Sequence, residues 1–428
     1  MTARELALEL LLKAEGSKQY SNIALDNALK KSTLSPADKG LTSAIFYGVI
    51  ERRITLDYQI SALSSRSLCE IDAKTLNALR IGLYQLIYLD RIPHHAAINE
   101  SVALCTRKSV GFANAILRSF LRKGGLVLPN KGNTLEYLSV VYSIDIPLLE
   151  KLLSIFDENE LEGLLSAINQ APETTLRVNT LLTDRNALLE KISSSTPTKN
   201  APHGIYVTGS VRELYGFDDG LFFVQDEASQ ICVEALDAQS GDIVMDICAC
   251  PGSKSFGAAI SMKNCGEIFS FDLHENKLSL VKSGAERLKI DIIKTAARDG
   301  RHFLPEFEQR ADKIICDVPC SGFGVIGKKP EIRYKDPKES ARLPEIQLDI
   351  LENVSNYLKA SGTLVYSTCT VLPEENEQII KKFLDKNQNY ELAPFSVGEL
   401  EVSDGMITLL PHIHGTDGFF IAKLVKVR

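Results

Sequence analysis

The chain has no apolar run approaching the roughly 20 residues that a membrane-spanning helix requires, so no transmembrane segment and no membrane partner are expected. Its first residues, Met1-Thr2-Ala3-Arg4-Glu5, lead into an amphipathic pattern interrupted by acids, which is not the layout of an export signal, and a cytoplasmic location is expected. A disulfide framework is missing too. Nine cysteines are an odd number in a chain of 428 residues, and two of them stand in Cys248-Ala249-Cys250, which points to free thiols in a reducing compartment. Seven histidines, none arranged as a second ligand pair near that Cys-x-Cys, leave nothing to complete a zinc site, and no metal is expected. Neither G-x-x-x-x-G-K-[ST] nor G-x-G-x-x-G occurs in the phosphate-binding position, which removes the usual signatures of ATP hydrolysis and of ordinary dinucleotide binding. There is no internal repeat and no low-complexity segment.

What is present is the balance of a soluble protein folded throughout: 44% hydrophobic and 24% charged residues. A length of 428 residues exceeds what one hydrophobic core usually serves, so two or three domains are expected. The formal charge of −7 conceals an asymmetry, because residues 1–130 hold 17 Lys and Arg against 11 Asp and Glu, leaving 31 against 44 in the remainder. A basic module is joined to an acidic one. Such a module suits a phosphate backbone, and equally suits an ordinary solvated helical surface.

Along the first part, Leu6, Ala7, Leu10 and Leu11, and later Leu76, Leu79, Leu83 and Leu86, recur at helical spacing. Ser35-Pro36-Ala37-Asp38 reads as a helix start, and Ile92-Pro93 breaks the chain before a helix from Ala96. An all-helical domain is expected over 1–125. Lys123-Gly124-Gly125 through Pro129-Asn130-Lys131-Gly132 is turn-rich, so a linker is expected over 126–140. Residues 141–218 mix helical stretches with strand candidates at Thr175-Leu176-Arg177-Val178-Asn179 and Gly204-Ile205-Tyr206-Val207, the pattern of a small α+β module. Over 219–428, short runs such as Ile243-Val244-Met245-Asp246, Glu267 to Asp272, Ile292 to Thr295, Lys313 to Asp317 and Gly362 to Ser367 alternate with helical ones. Near-continuous apolar strands separated by helices indicate a parallel sheet covered on both faces, with ligands beyond the carboxyl ends of the strands.

The first of those strands runs into Asp246-Ile247-Cys248-Ala249-Cys250-Pro251-Gly252-Ser253-Lys254-Ser255, which opens a helix. Gly252 lets backbone approach a ligand and the free amides of the helix start favour an anion, so Cys248, Ala249, Cys250, Pro251, Gly252, Ser253 and Lys254 suit a nucleoside bearing an acidic tail. Lys254 can neutralise that tail or Asp246, or simply be a solvated lysine. Asp272 closes the second strand 20 residues beyond Gly252, where an acid accepts from ribose hydroxyls or caps a helix. Asp299 follows the third strand and suits either an adenine amino group or a turn. Asp317-Val318-Pro319-Cys320 and Ser367-Thr368-Cys369 follow the next two strands, so two thiols delivered from neighbouring strand ends can face one cavity. A single such cysteine would more often be a buried apolar residue.

These motifs, in this order from Val224-Gln225-Asp226-Glu227-Ala228-Ser229 through Pro373-Glu374-Glu375-Asn376-Glu377 to Asp417-Gly418-Phe419-Phe420, resemble the NOL/NOP/Sun family of RNA 5-methylcytosine methyltransferases. The resemblance implies S-adenosylmethionine as cofactor, held by Cys248 to Lys254, Asp272, Asp299 and Asp317. It implies that Cys369 adds to C6 of the base, that Cys320 assists breakdown and product release, and that Asp317 meets the N3–amino edge in a protonation state the sequence leaves open. A thiolate is called for because C5 of cytosine is too poor a nucleophile unaided, so a polar pocket and helix amide ends are expected near Cys369. Residues 1–122, notably Leu83 to Pro93 and Gly111 to Arg118, resemble the NusB-like RNA-binding fold. That fusion resembles the bacterial RsmB branch, whose members methylate one cytosine in small-subunit ribosomal RNA. The architecture implied is multidomain: an N-terminal all-helical NusB-like bundle, a small α+β RNA-binding module around Arg177-Val178-Asn179, and a C-terminal α/β Rossmann-like methyltransferase with a mostly parallel sheet. Ribosomal RNA would be the partner, with no DNA, and the protein a monomer. The alternatives are the same chemistry on tRNA or large-subunit RNA, or a non-catalytic RNA-binding ribosome-assembly factor. Two departures stand out. Cys250, Ser253 and Ser255 replace the family's Ala, Gly and Thr, and Lys328-Lys329-Pro330-Glu331-Ile332-Arg333 replaces an arginine-rich segment while keeping the charge for a phosphate contact.

Overall fold

The computed structural model describes residues 1–17, 22–171 and 173–427. Contacts divide the chain into two compact units, Met1–Leu161 with Lys329–Pro337, and Glu162–Lys328 with Lys338–Arg428.

The first unit is helical: α1 (Ala3–Ser17), α2 (Asn22–Lys31), α3 (Pro36–Glu51), α4 (Arg53–Leu63), α5 (Ala73–Tyr88), α6 (His94–Ala103), α7 (Val110–Lys123), α8 (Thr134–Tyr142), α9 (Ile146–Leu153) and the start of α10 (Glu158–Ile168). Leu6, Ala7, Leu10, Leu11, Leu79 and Leu83 are buried together with Ile45, Leu56 and Leu117, as their spacing requires of one shared core. The capping signal acts as expected, since the Ser35 hydroxyl accepts from the Asp38 amide with Pro36 in the first turn. Helix α7 stops where Gly124 turns left-handed at φ 74°. The linker expected over 126–140 is helical in its second half. Turn-forming residues end at Asn133, and α8 then buries Leu138 and Val140 and offers the Val140 carbonyl to the Thr55 hydroxyl at 2.6 Å. Tertiary burial there outweighs the loop-like composition before it.

The second unit holds two sheets. The smaller has β1 (Thr174–Val178), β2 (Ser195–Pro197), β3 (Gly204–Val207) and β4 (Phe222–Val224) in the order β2-β3-β1-β4, all antiparallel, with α11 (Arg185–Lys191) capped by Asp184. The larger follows α12 (Glu227–Leu236) and contains β5 (Ile243–Ile247), α13 (Ser253–Ser261), β6 (Glu267–Asp272), α14 (Glu275–Arg287), β7 (Ile293–Ala297), β8 (Ala311–Asp317), α15 (Leu343–Ser355), β9 (Leu358–Thr368), α16 (Glu377–Lys386) and β10 (Tyr390–Leu392). A two-stranded ribbon, β11 (Phe395–Val397) and β12 (Leu400–Val402), then β13 (Met406–Leu409), α17 (Pro411–His414) and β14 (Phe419–Lys426) complete it. The order β10-β14-β9-β8-β5-β6-β7 has a parallel centre, β9-β8-β5-β6-β7, and an antiparallel edge of β14, β10 and β13. The chain leaves β5 outward through β6 and β7 and returns to β8 on the other side of β5. That reversal opens a crevice at the carboxyl ends of β5 and β8, where ligands bind in sheets of this kind. The sheet is buried on both faces, by Val244, Ile268, Ile315 and Val365 in one cluster and Met245, Ile314, Leu364 and Tyr366 in the other.

No helix among the described residues is long and apolar enough to cross a membrane. Among the same residues, no group of three or more His, Cys, Asp or Glu is placed to hold a metal ion.

Candidate active site

The strand register carries the two thiols together. Asp317 at the end of β8 stands opposite Ser367 at the end of β9, so Cys320 and Cys369 leave their strands within a few residues of one another. Their Sγ atoms lie 3.0 Å apart, and the Cys369 amide donates to Cys320 Sγ at 3.2 Å. The shared contact with Cys369, together with burial, pushes the Cys320 thiol well above the usual cysteine range. Cys320 is therefore held as the neutral thiol, in direct contact with Cys369. The next helix after Cys369 begins only at Glu377, so the expected helix amide ends are not adjacent in sequence to this thiol.

Buried groups that motif reading had not assigned hold both loops in place. Glu375 Oε2 accepts from the Ser321 amide at 2.9 Å and from Gln347 Nε2 at 2.8 Å, and Gln347 Nε2 also donates to the Pro319 carbonyl. The Ser321 and Thr370 hydroxyls meet at 2.8 Å, while Asn376 accepts from the Thr368 hydroxyl and donates to the Thr370 carbonyl. Gly324 donates to the Cys369 carbonyl at 3.0 Å and accepts from the Gly418 amide at 2.8 Å; a methyl at 324 would collide with the Gly418 backbone.

Asp317 is held from two sides. Its Oδ1 accepts from the Ser367 hydroxyl at 2.7 Å and its Oδ2 from Lys254 Nζ at 2.6 Å. Burial works against the Lys254 charge, but Asp317 outweighs it and raises the ammonium above its ordinary range. Lys254 also lies over the Phe419 ring, 5.2 Å from its centroid. Of the readings open for Lys254, the structure shows a direct ion pair with Asp317; Asp246, whose Oδ2 accepts from the Ser255 hydroxyl at 2.5 Å, feels the ammonium only through space.

The loop after β5 is splinted by the acid at the end of β6. Asp272 Oδ2 accepts from the Cys250 amide at 3.2 Å and Oδ1 from the His274 amide at 3.0 Å, while Ala249 donates to the Phe271 carbonyl at 2.7 Å. Burial raises the Cys248 thiol, and burial with Asp272 pushes Cys250 up to about 12, so both stay neutral. Gly252 has φ 111°, and a Cβ there would meet the Phe256 ring at 2.6 Å. The positive φ values of this loop fall on Cys248 and Gly252, not on Ser253, so serine at 253 costs no backbone strain. Asp299, beyond β7, accepts from the Arg301 amide and Nε at 3.0 Å and from Nη2 at 2.6 Å. The Arg301 hydrogen bond lowers it to about 2. Asp272 and Asp299 follow adjacent parallel strands, and with the Gly252 cradle they fit a nucleoside-type cofactor.

Several of the cations expected near phosphate or RNA are engaged within the protein, while Lys329 of the 328–333 segment is exposed. Lys328 is partly exposed and bonded to Asp226 and, at 2.9 Å, to Asp417. Arg333 is fully buried, donating to the Tyr142 carbonyl at 2.9 Å, and burial pulls it down to about 10. Arg177 and Asn179 are likewise buried: Arg177 pairs with Glu234 at 2.6 Å, and Asn179 donates to the Gly220 and Leu288 carbonyls. A guanidinium sequestered with its counter-charge cannot also reach solvent-borne phosphate.

A parallel-centred sheet with a glycine turn after its first strand, acids after the next two and a loop at the reversal point defines a Rossmann-like methyltransferase fold. Three family models match successive stretches: the model for 16S rRNA methyltransferase RsmB/F matches residues 233–425, the NusB family residues 1–122, and the RsmF/B-like ferredoxin-like domain residues 148–212. A Bacillus subtilis protein described as a probable ribosomal RNA small subunit methyltransferase B is 35% identical, with 99% of each chain covered. The crystal structure of PH0851 superposes with a TM-score of 0.80 at 26% identity, covering 100% of this chain and 99% of its own. A methyltransferase homolog from Pyrococcus horikoshii follows at TM-score 0.60 and 27% identity, covering 69% of this chain and 99% of its own. The chain belongs to the RsmB/F methyltransferase family.

Proposed function

We propose that the protein uses S-adenosylmethionine to methylate C5 of one cytosine in bacterial small-subunit ribosomal RNA, through a temporary bond between Cys369 Sγ and C6. The observation that carries this reading is the pair of sulfur atoms 3.0 Å apart beyond the carboxyl ends of β8 and β9, where Asp317 closes β8. Cys248 to Lys254, with Asp272, Asp299 and Asp317, bind the cofactor, which supplies the methyl group. Cys369 gives its thiol proton to water as its sulfur attacks C6, and the C5=C6 bond pair moves to build electron density on C5. Asp317, fixed by Ser367 and Lys254, holds the N3–amino edge and steadies charge developing there. Once C5 carries the methyl group, a solvent base takes the C5 proton, the C5=C6 double bond re-forms as the C6–S bond breaks, and Cys320, 3.0 Å away, assists departure by protonating the released Cys369 sulfur. The basic helical unit binds the RNA. The name of the Bacillus relative supports ribosomal RNA as substrate.

The test is a denaturing gel of protein incubated with radiolabelled cofactor and ribosomal RNA. Cys369→Ser should give no methyl transfer and no adduct. Cys320→Ala should accumulate a covalent RNA–protein band. Undiminished turnover by Cys369→Ser would overturn the assignment. Bisulfite sequencing of ribosomal and transfer RNA from cells lacking the protein should show the loss of methylation at a single cytosine, in the small-subunit RNA.

A further inference from the structure

We infer that a cleft on the helical unit between α6 and α7 is a docking site for the phosphodiester backbone of the RNA substrate, gripped by Arg118 and Arg122. This deepens the reading above and rests on it. The cleft encloses about 600 Å³ and is lined by His94, His95, Asn99, Arg118 and Arg122, with Ile98 and Leu121. None of these residues is engaged by the site at the strand ends.

Helix α7 shows why the two arginines stand there. Its Ala113, Ile116, Leu117 and Phe120 are buried, which leaves Arg118 and Arg122 exposed and one turn apart on another face. Like charges four residues apart on a helix destabilise it. No acid relieves them: among the described residues neither makes an ion pair, Arg118 Nε bonding only to Asn114 Oδ1 at 2.9 Å and Arg122 Nη2 to Ser119 Oγ at 2.8 Å. The stretch from Ser101 to Leu135 contains Arg107, Lys108, Arg118, Arg122, Lys123 and Lys131 and no Asp or Glu at all. Each guanidinium therefore keeps most of its donors turned to solvent, in the fork geometry that suits phosphate oxygens. Across the cleft, His94 and His95 open α6, whose first turn has no side-chain cap. A small anion would fill little of this space, whereas a polyanionic strand engages both arginines together and releases counterions as it does so.

The test uses the full-length chain and a small-subunit ribosomal RNA transcript, with binding read by fluorescence anisotropy over a series of salt concentrations and turnover measured in parallel. Arg118→Glu with Arg122→Glu should raise Kd and KM for RNA on the order of tenfold and reduce the slope of log Kd against log salt by about 2. The cofactor KM and the rate at saturating RNA should hold, and Arg118→Lys with Arg122→Lys should recover most of the affinity. Lys30 and Lys31, exposed at the end of α2, are the control for bulk charge. Wild-type Kd and salt slope in the double glutamate variant would overturn the inference, and so would an equal loss from Lys30→Glu with Lys31→Glu. A wild-type chain that binds RNA through the cleft but transfers no methyl group would sink the methyltransferase reading and leave this one standing.

Discussion

Asp246 shows what the crevice costs. The carboxyl is fully buried, Ser255 satisfies Oδ2, Oδ1 has no partner, and burial pushes the pKa up to about 7. A carboxyl raised in the folded state binds more protons folded than unfolded between its free value, about 4, and about 7. Its contribution therefore favours folding on the acid side and is lost as pH rises through that window. Asp246→Asn keeps an acceptor for Ser255 and removes the titration. Thermal melts from pH 4.5 to 8 should show the variant gaining stability relative to the parent as pH rises. A constant difference across that range would mean that Asp246 is not the group responsible.

At the scale of elements, the site is a product of strand ends. Apolar runs read along the chain locate β5 to β9, because a strand buried on both faces has few polar interruptions. The same reading misses the antiparallel edge, β14 with β10 and β13. A single apolar run such as Phe419–Lys426 carries no mark of its partner, and pairing with β9 is settled only when the sheet assembles. The turn from β5 into α13 is the most exacting piece. Gly252→Ala must place a Cβ at φ 111° against the Phe256 ring, costing about 1–3 kcal/mol at the loop proposed to hold the cofactor. Calorimetric titration with S-adenosylmethionine should show binding weakened tenfold or more while the melting temperature falls modestly. Unchanged affinity would remove this loop from the cofactor site.

At the scale of the whole molecule, residues 329–337 belong with helices encoded some 200 residues earlier. The Tyr334 hydroxyl accepts from the Arg53 amide at 3.1 Å, donates to the Ile50 carbonyl and meets Ser143 Oγ at 3.1 Å, with the Arg53 guanidinium 3.7 Å from the ring centroid. Tyr334→Phe should cost about 1–3 kcal/mol by stranding buried partners. Hydrogen exchange should then quicken at the start of α4, and protection there equal to the parent's would contradict this account.

Much of the candidate site was legible without coordinates, because its chemistry sits in short motifs and each motif ends a strand. Residue type and spacing put Cys320, Cys369, Asp317, Asp272 and Asp299 at or just beyond strand ends, and the family resemblance supplied the roles proposed for them. What spacing does not carry is which charge answers which. Lys254 pairing with Asp317, Lys328 with Asp226, Arg333 turned inward, and Glu375 with Gln347 bracing the thiol loops all join residues distant in the chain. The order of amino acids determined the elements and the reactive groups through local periodicity and turn chemistry. Partnership, burial and the separation of the two sulfur atoms were decided only by tertiary packing, since desolvation and Coulomb energy depend on distance in space and not on position along the chain.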